Sequence, residues 1–162
     1  NTQGIVICAK TAESLRILNQ AVKERWIEKK YLCVVMGEPR PETATLEGYL
    51  IKNSSDNIVR IYNKEVRGSK KILTGYKVLA SKAGLSLCEI NLITGRTHQI
   101  RVQFASRKHP LIGDIKYGGK KDDIKLSLWS HEISFNHPIS GKRLDFRLLP
   151  PDAFPWNVFN FA

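Results

Sequence analysis

The sequence predicts an α+β fold, a bent, mostly antiparallel mixed sheet with helices packed against it, on three observations. Short β-branched apolar runs outnumber helical stripes, and turn signals join most of those runs as hairpins. The 162 residues, 42% hydrophobic, suffice for one core and are too few for two domains of ordinary size, so residues 1–162 are read as one unit.

Residues 4–9 form a continuous apolar run that reads as a buried strand. Thr11 can cap a helix running to about Trp26 or Ile27, whose stripe of Leu15, Leu18, Val22 and Trp26 would cover one sheet face. Residues 29–37 are apolar on both faces and predict a central strand. Pro39, Pro41 and Gly48 punctuate a region with short strands near 45–51 and 57–62, split by a turn at 53–56. Next come a basic loop, 64–71, and a hairpin of 72–80 and 85–93 turning through Lys82, Ala83 and Gly84. Residues 126–135 and 142–148 close the chain as a last hairpin.

Between those hairpins lies the densest set of polar donors. The apolar run ends at Thr94-Gly95, and Arg96, Thr97, His98, Gln99 and Arg101 come within the next seven residues. A turn at Gly95 would let Arg96 and Thr97 open a helix whose first N–H groups attract anions. Ile100, Phe104 and Ala105 would pack inward while Arg101 shares a face with Thr97. Such a helix is either a solvated basic surface or the wall of an anion-binding cleft.

The charge points to the second reading. Lys and Arg number 26 against 15 Asp and Glu, a net charge of +11, which suits a polyanionic partner. Cys8, Cys33 and Cys88 sit in apolar runs without a Cys-x-x-Cys pair and read as buried free thiols of a reducing compartment. No apolar run approaches a membrane span and the start lacks a signal-peptide pattern, so a soluble cytoplasmic protein is expected. His131 and His137 read as structural, and the four histidines are too scattered to suggest a metal site.

The string Thr94-Gly95-Arg96-Thr97-His98-Gln99-Ile100-Arg101-Val102, with His109-Pro110-Leu111-Ile112-Gly113-Asp114 and Tyr117-Gly118 after it, resembles the signature of the RluA-type pseudouridine synthases. These enzymes isomerise uridine in ribosomal and transfer RNA. Gln103, where the family usually has His, and Arg107-Lys108 depart from the pattern and are expected to alter RNA contacts. Residues 29–37 are similar to the family's Lys-x-Tyr-x-Ala-x-Val-x-Gly motif, and Asn1 to Lys10 are similar to the stretch directly C-terminal to its Arg-Leu-Asp.

The resemblance covers essentially the whole chain and implies the C-terminal portion of the pseudouridine synthase catalytic domain, with the nucleophilic aspartate two residues before Asn1. The chain alone is then expected to be inactive and Arg101, deprived of its carboxylate, to be mobile or to hold a solvent anion. Arg143-Leu144-Asp145 spells the same tripeptide, but it matches the family's closing hairpin, so Asp145 reads as an exposed strand residue.

By the same resemblance Tyr31 stacks on the uracil and is the candidate base for its C5 proton, with a lowered pKa. Arg101 pairs with the nucleophile, and Arg96, Thr97, His98 and Gln99 hold the flipped nucleotide. Lys29 and Lys30 are plausible phosphate contacts. No cofactor or metal is implied; the expected partner is rRNA or tRNA and the expected state a monomer. The alternatives are a non-catalytic RNA-binding domain and a metal-independent ribonuclease using His98 or His109.

Overall fold

The computed structural model describes residues 2–52, 58–118 and 123–161. Strands β1 (Gln3–Gly4), β2 (Glu28–Met36), β3 (Thr43–Lys52), β4 (Val59–Tyr62), β5 (Lys70–Lys82), β6 (Leu85–Leu92), β7 (Leu128–Asn136) and β8 (Arg143–Arg147) form one sheet. Its order is β1-β7-β2-β6-β5-β3-β4, with β8 also on β7. All pairs are antiparallel except β1 with β7. Helix α1 spans Ala12–Lys23, α2 spans Gln99–Ala105, and a 3₁₀ turn covers Trp156–Val158. The turn expected at 53–56 lies outside the described residues.

The sheet is covered on both faces at its centre. Leu32, Cys33, Val34 and Val35 of β2 are all buried, as a central strand requires. Cys33, Val35, Tyr76, Cys88 and Ile90 face Ile100 and Phe104 of α2, with Leu111, Leu126 and Leu128. On the other face Leu32, Val34 and Leu87 meet Trp156 and Phe159. The β5–β6 hairpin turns through Ala83 and Gly84, at φ 54° and 74°, the positive dihedrals that a tight two-residue turn needs.

The N-terminal region differs from expectation. The strand ends after two residues, Val6 is 77% exposed, and the exposed Cys8 is no buried thiol. Thr11 caps α1 by accepting from the Ser14 N–H at 3.1 Å, but Leu15, Val22 and Trp26 remain half exposed or more. The chain leaves the sheet edge after Gly4, and an open groove lined by Val22, Ile27 and Ile133 lies where the helix would have covered the sheet.

Helix α2 is fixed by polar contacts inside the core. Gln103 is fully buried; its Nε2 donates to the Leu46 carbonyl at 2.9 Å and its Oε1 accepts from the Thr74 hydroxyl. The Gln103 departure therefore belongs to the core, away from RNA. Arg107 likewise spends its donors on the carbonyls of Gln103 and Glu47. Replacing Gln103 by Leu, similar in size, should lower unfolding stability by about 1–3 kcal/mol, because the Leu46 carbonyl loses its donor and the Thr74 hydroxyl its acceptor. Urea unfolding checks this through a lower midpoint at unchanged slope.

Candidate active site

Strand β6 delivers the chain into a turn that Gln99 holds. Its Oε1 accepts from the Thr94 hydroxyl at 2.9 Å and the Arg96 N–H at 3.1 Å; its Nε2 donates to the Leu73 carbonyl and the Thr74 hydroxyl at 3.0 and 2.8 Å. With all its polar capacity spent internally, Gln99 is a brace for the loop rather than a nucleotide ligand. His98 takes the left-handed conformation at φ 55°, so α2 begins at Gln99 and not at Arg96. Arg96 and Thr97 consequently stand exposed on the turn ahead of the helix.

Arg101 projects from the first turn of α2 and is answered within the chain. Its Nε donates to Asp114 Oδ2 at 2.8 Å and its Nη2 to Oδ1 at 2.7 Å, a two-pronged pair. Asp114 is 1% exposed, and its Oδ1 also accepts from the N–H groups of Lys116 and Tyr117, both at 3.2 Å. The expectation of a mobile Arg101 without a carboxylate is thus corrected: the loop after α2 carries one. Removing one member of such a buried pair costs about 3–5 kcal/mol. The guanidinium carbon also lies 5.1 Å from the centre of the Tyr117 ring.

Tyr117 ties this pair to His98. Its hydroxyl accepts from the Val59 N–H at 3.0 Å and lies 2.9 Å from His98 Nδ1, within hydrogen-bond distance. Burial, then the charges of Arg101 and Lys116, hold His98 below its ordinary range, so its ring is neutral at pH 7.

Tyr31, Arg96, His98 and Arg101 line one pocket of ≈ 310 Å³, with Thr2, Leu92 and Leu128 among its walls. Strand β2 supplies the tyrosine, and the 96–101 segment supplies the cations. Tyr31 is half-buried, and burial pushes its phenol up, opposite to the lowered pKa expected of it. Among the described residues no carboxylate lines this pocket; Asp145 lies on β8, exposed and 3.4 Å from Arg143.

Lys29 and Lys30 part company because strand side chains alternate. Lys29 shares Tyr31's face and lines the adjoining groove beside it. Lys30 points to the other face, where it pairs with Glu132 at 3.0 Å and Glu89 at 4.0 Å, and it is withdrawn as an RNA ligand of this pocket. His109 bonds the Met36 carbonyl at 2.9 Å, which ties its ring to the end of β2. Sequence reasoning missed Asp114 and Tyr117 as site residues, although both lie in the motif that signalled the site.

The lowered pKa of His98 has a consequence for pH. Unfolded, the ring takes its proton near the ordinary value of 6.5; folded, it takes it only at lower pH. Its contribution to stability is present above that ordinary value and is lost as pH falls through the folded one. Thermal unfolding midpoints should therefore decline as pH falls below about 6.5, and His98→Gln should flatten that part of the decline. An unaltered pH profile in the variant would count against the neutral ring.

Comparison with known proteins shows the family and the fold. The sequence model of the family described as RNA pseudouridylate synthase matches residues 1–106. An uncharacterized RNA pseudouridine synthase of Mycobacterium bovis is 34% identical over 150 residues, covering 89% of this chain and 48% of its own length. Ribosomal large subunit pseudouridine synthase C of Vibrio cholerae is 33% identical over 153 residues, covering 90% and 47%. The chain spans about half the length of these curated relatives. In structure it is similar to human RNA pseudouridylate synthase domain containing 1, with a TM-score of 0.75, 24% identity, and coverage of 91% of this chain and 64% of the other. With the match of the family's sequence model over residues 1–106, the chain belongs to the RNA pseudouridylate synthase family.

Proposed function

We propose that the chain carries the uridine pocket of an RNA pseudouridine synthase acting on ribosomal or transfer RNA. The observation that carries this reading is the meeting of Tyr31, Arg96 and Arg101, from distant parts of the sequence, around one pocket. The reaction breaks the bond between ribose C1′ and uracil N1 and forms one from C1′ to C5. C5 gives up a proton and N1 gains one, so the base is isomerised with no net redox change.

Each side chain has a part that its geometry supports. Tyr31 offers a ring for the uracil to stack on, worth about 1–3 kcal/mol per base. Burial keeps its phenol neutral in the free pocket, so accepting the C5 proton calls for a nearby cation, and Arg96 and Arg101 line the same pocket from the opposite element. Asp114 aims the Arg101 guanidinium before RNA arrives, which spares the reaction the cost of ordering it. Arg96 stands exposed at the mouth for phosphate, while the neutral His98 offers a hydrogen bond rather than charge.

Among the described residues no carboxylate lines the pocket to meet C1′, and we place one beside Thr2, where the resemblance puts the family's Arg-Leu-Asp segment. Incubating uridine-labelled RNA with the 162-residue chain should yield bound but unmodified RNA, and with the chain preceded by that segment, pseudouridine. Shortened RNA would instead indicate a ribonuclease. Pseudouridine made by the shorter chain would show that the nucleophile has been misplaced. In the active form, Tyr31→Phe should keep RNA affinity within a few-fold and remove most turnover. Equal loss of affinity and turnover would count against the hydroxyl in proton transfer.

A further inference from the structure

A second groove of ≈ 320 Å³ adjoins the pocket and shares Arg96 with it. Its lining includes Leu50, Ile51 and Val59 together with Lys52, Lys70, Arg96 and Thr97. Strand geometry explains the cations. On β3 the buried Leu46, Gly48 and Leu50 set the face turned toward α2, and Lys52 continues it. On β5 Ile72, Thr74 and Tyr76 set the same face, and Lys70 continues that one. Leu50 stands opposite Lys70 in the register, so Lys52 and Lys70 are diagonal neighbours at one sheet corner.

The two faces of this corner differ in how their charges are paired. Lys71, one residue along β5 and therefore on the other face, is neutralised by Glu47 at 2.9 Å. Among the described residues no carboxylate pairs with Lys52, Lys70 or Arg96. Three uncompensated cations around an apolar floor repel one another, and an anion that also presents a flat apolar face relieves that repulsion. A nucleotide has both parts.

We infer that this groove is a second nucleotide subsite, which takes the RNA residue flanking the uridine of the Tyr31–Arg101 pocket. Its sugar and base rest against the strip formed by Leu50 and Val59, and the phosphate linking the two residues lies among Arg96, Lys52 and Lys70. Arg96, common to both pockets, is placed for the phosphate between them. This rests on the RNA reading above and adds the direction in which the strand leaves the pocket, across the β3–β5 corner.

The test is the salt dependence of affinity for a short uridine-rich single-stranded RNA, measured by fluorescence anisotropy. Each phosphate contact contributes about 0.7 to the slope of log K against log salt. The double variant Lys52→Gln/Lys70→Gln should lower the slope by about 0.7 to 1.4, while Lys77→Gln/Lys82→Gln, at the far end of β5, should leave it unchanged. All three proteins should show the same thermal midpoint within a degree or two, since none of the four lysines is buried. An unchanged slope in the first variant, with RNA still bound by the parent, would overturn the subsite and leave the pocket standing. An equal drop in both variants would show diffuse attraction and overturn it too. A parent chain that binds no RNA would overturn the underlying RNA reading.

Discussion

Everything at the site hangs from the carboxylate of Asp114. It takes both prongs of Arg101 and two backbone N–H groups of its own loop, and it is nearly sealed from solvent. A buried carboxylate is costly unless its acceptors are filled, so the loop and the arginine are each held where the other needs them. Tyr117, whose N–H is one of those donors, then reaches Val59 and His98 with its hydroxyl. One charge thus links the loop after α2, the helix start, and the β4 edge that borders the second groove.

The carboxylate could not aim Arg101 if α2 were free to rotate. Gln99 and Gln103, four residues apart, lie on one helix face and bond Thr74 from both sides. Polar side chains buried on a helix that also carries Ile100 and Phe104 give it directional contacts that oil alone lacks. The sheet supplies the other wall without adjustment, because Tyr31 follows from the alternation that puts Cys33 and Val35 in the core.

Much of this was legible in the sequence. Hairpin signals located the strands to within a few residues, and the Thr94–Val102 string marked the site before any geometry was known. Lys30 was also legible and was misread: a strand with Tyr31 turned to the pocket must turn Lys30 away. Asp114 was harder, since nothing local says that a loop carboxylate 13 residues beyond Arg101 folds back beneath it. Gln99 was misjudged because a polar residue in a site motif looks like a ligand until its bonds are traced. The apolar stripe of α1 predicted a covered face, but periodicity reports which side of a helix is apolar and not whether anything lies against it.

In the function proposed, the pocket between Tyr31 and Arg101 receives a uridine lifted out of its strand. A crystal structure with an RNA oligonucleotide whose target uridine carries fluorine in place of the C5 hydrogen, which cannot leave as a proton, tests it most directly. The pyrimidine should stack on the Tyr31 ring, with the Arg101–Asp114 pair unbroken. A pyrimidine bound elsewhere, with Tyr31 and Arg101 facing an empty pocket, would contradict it.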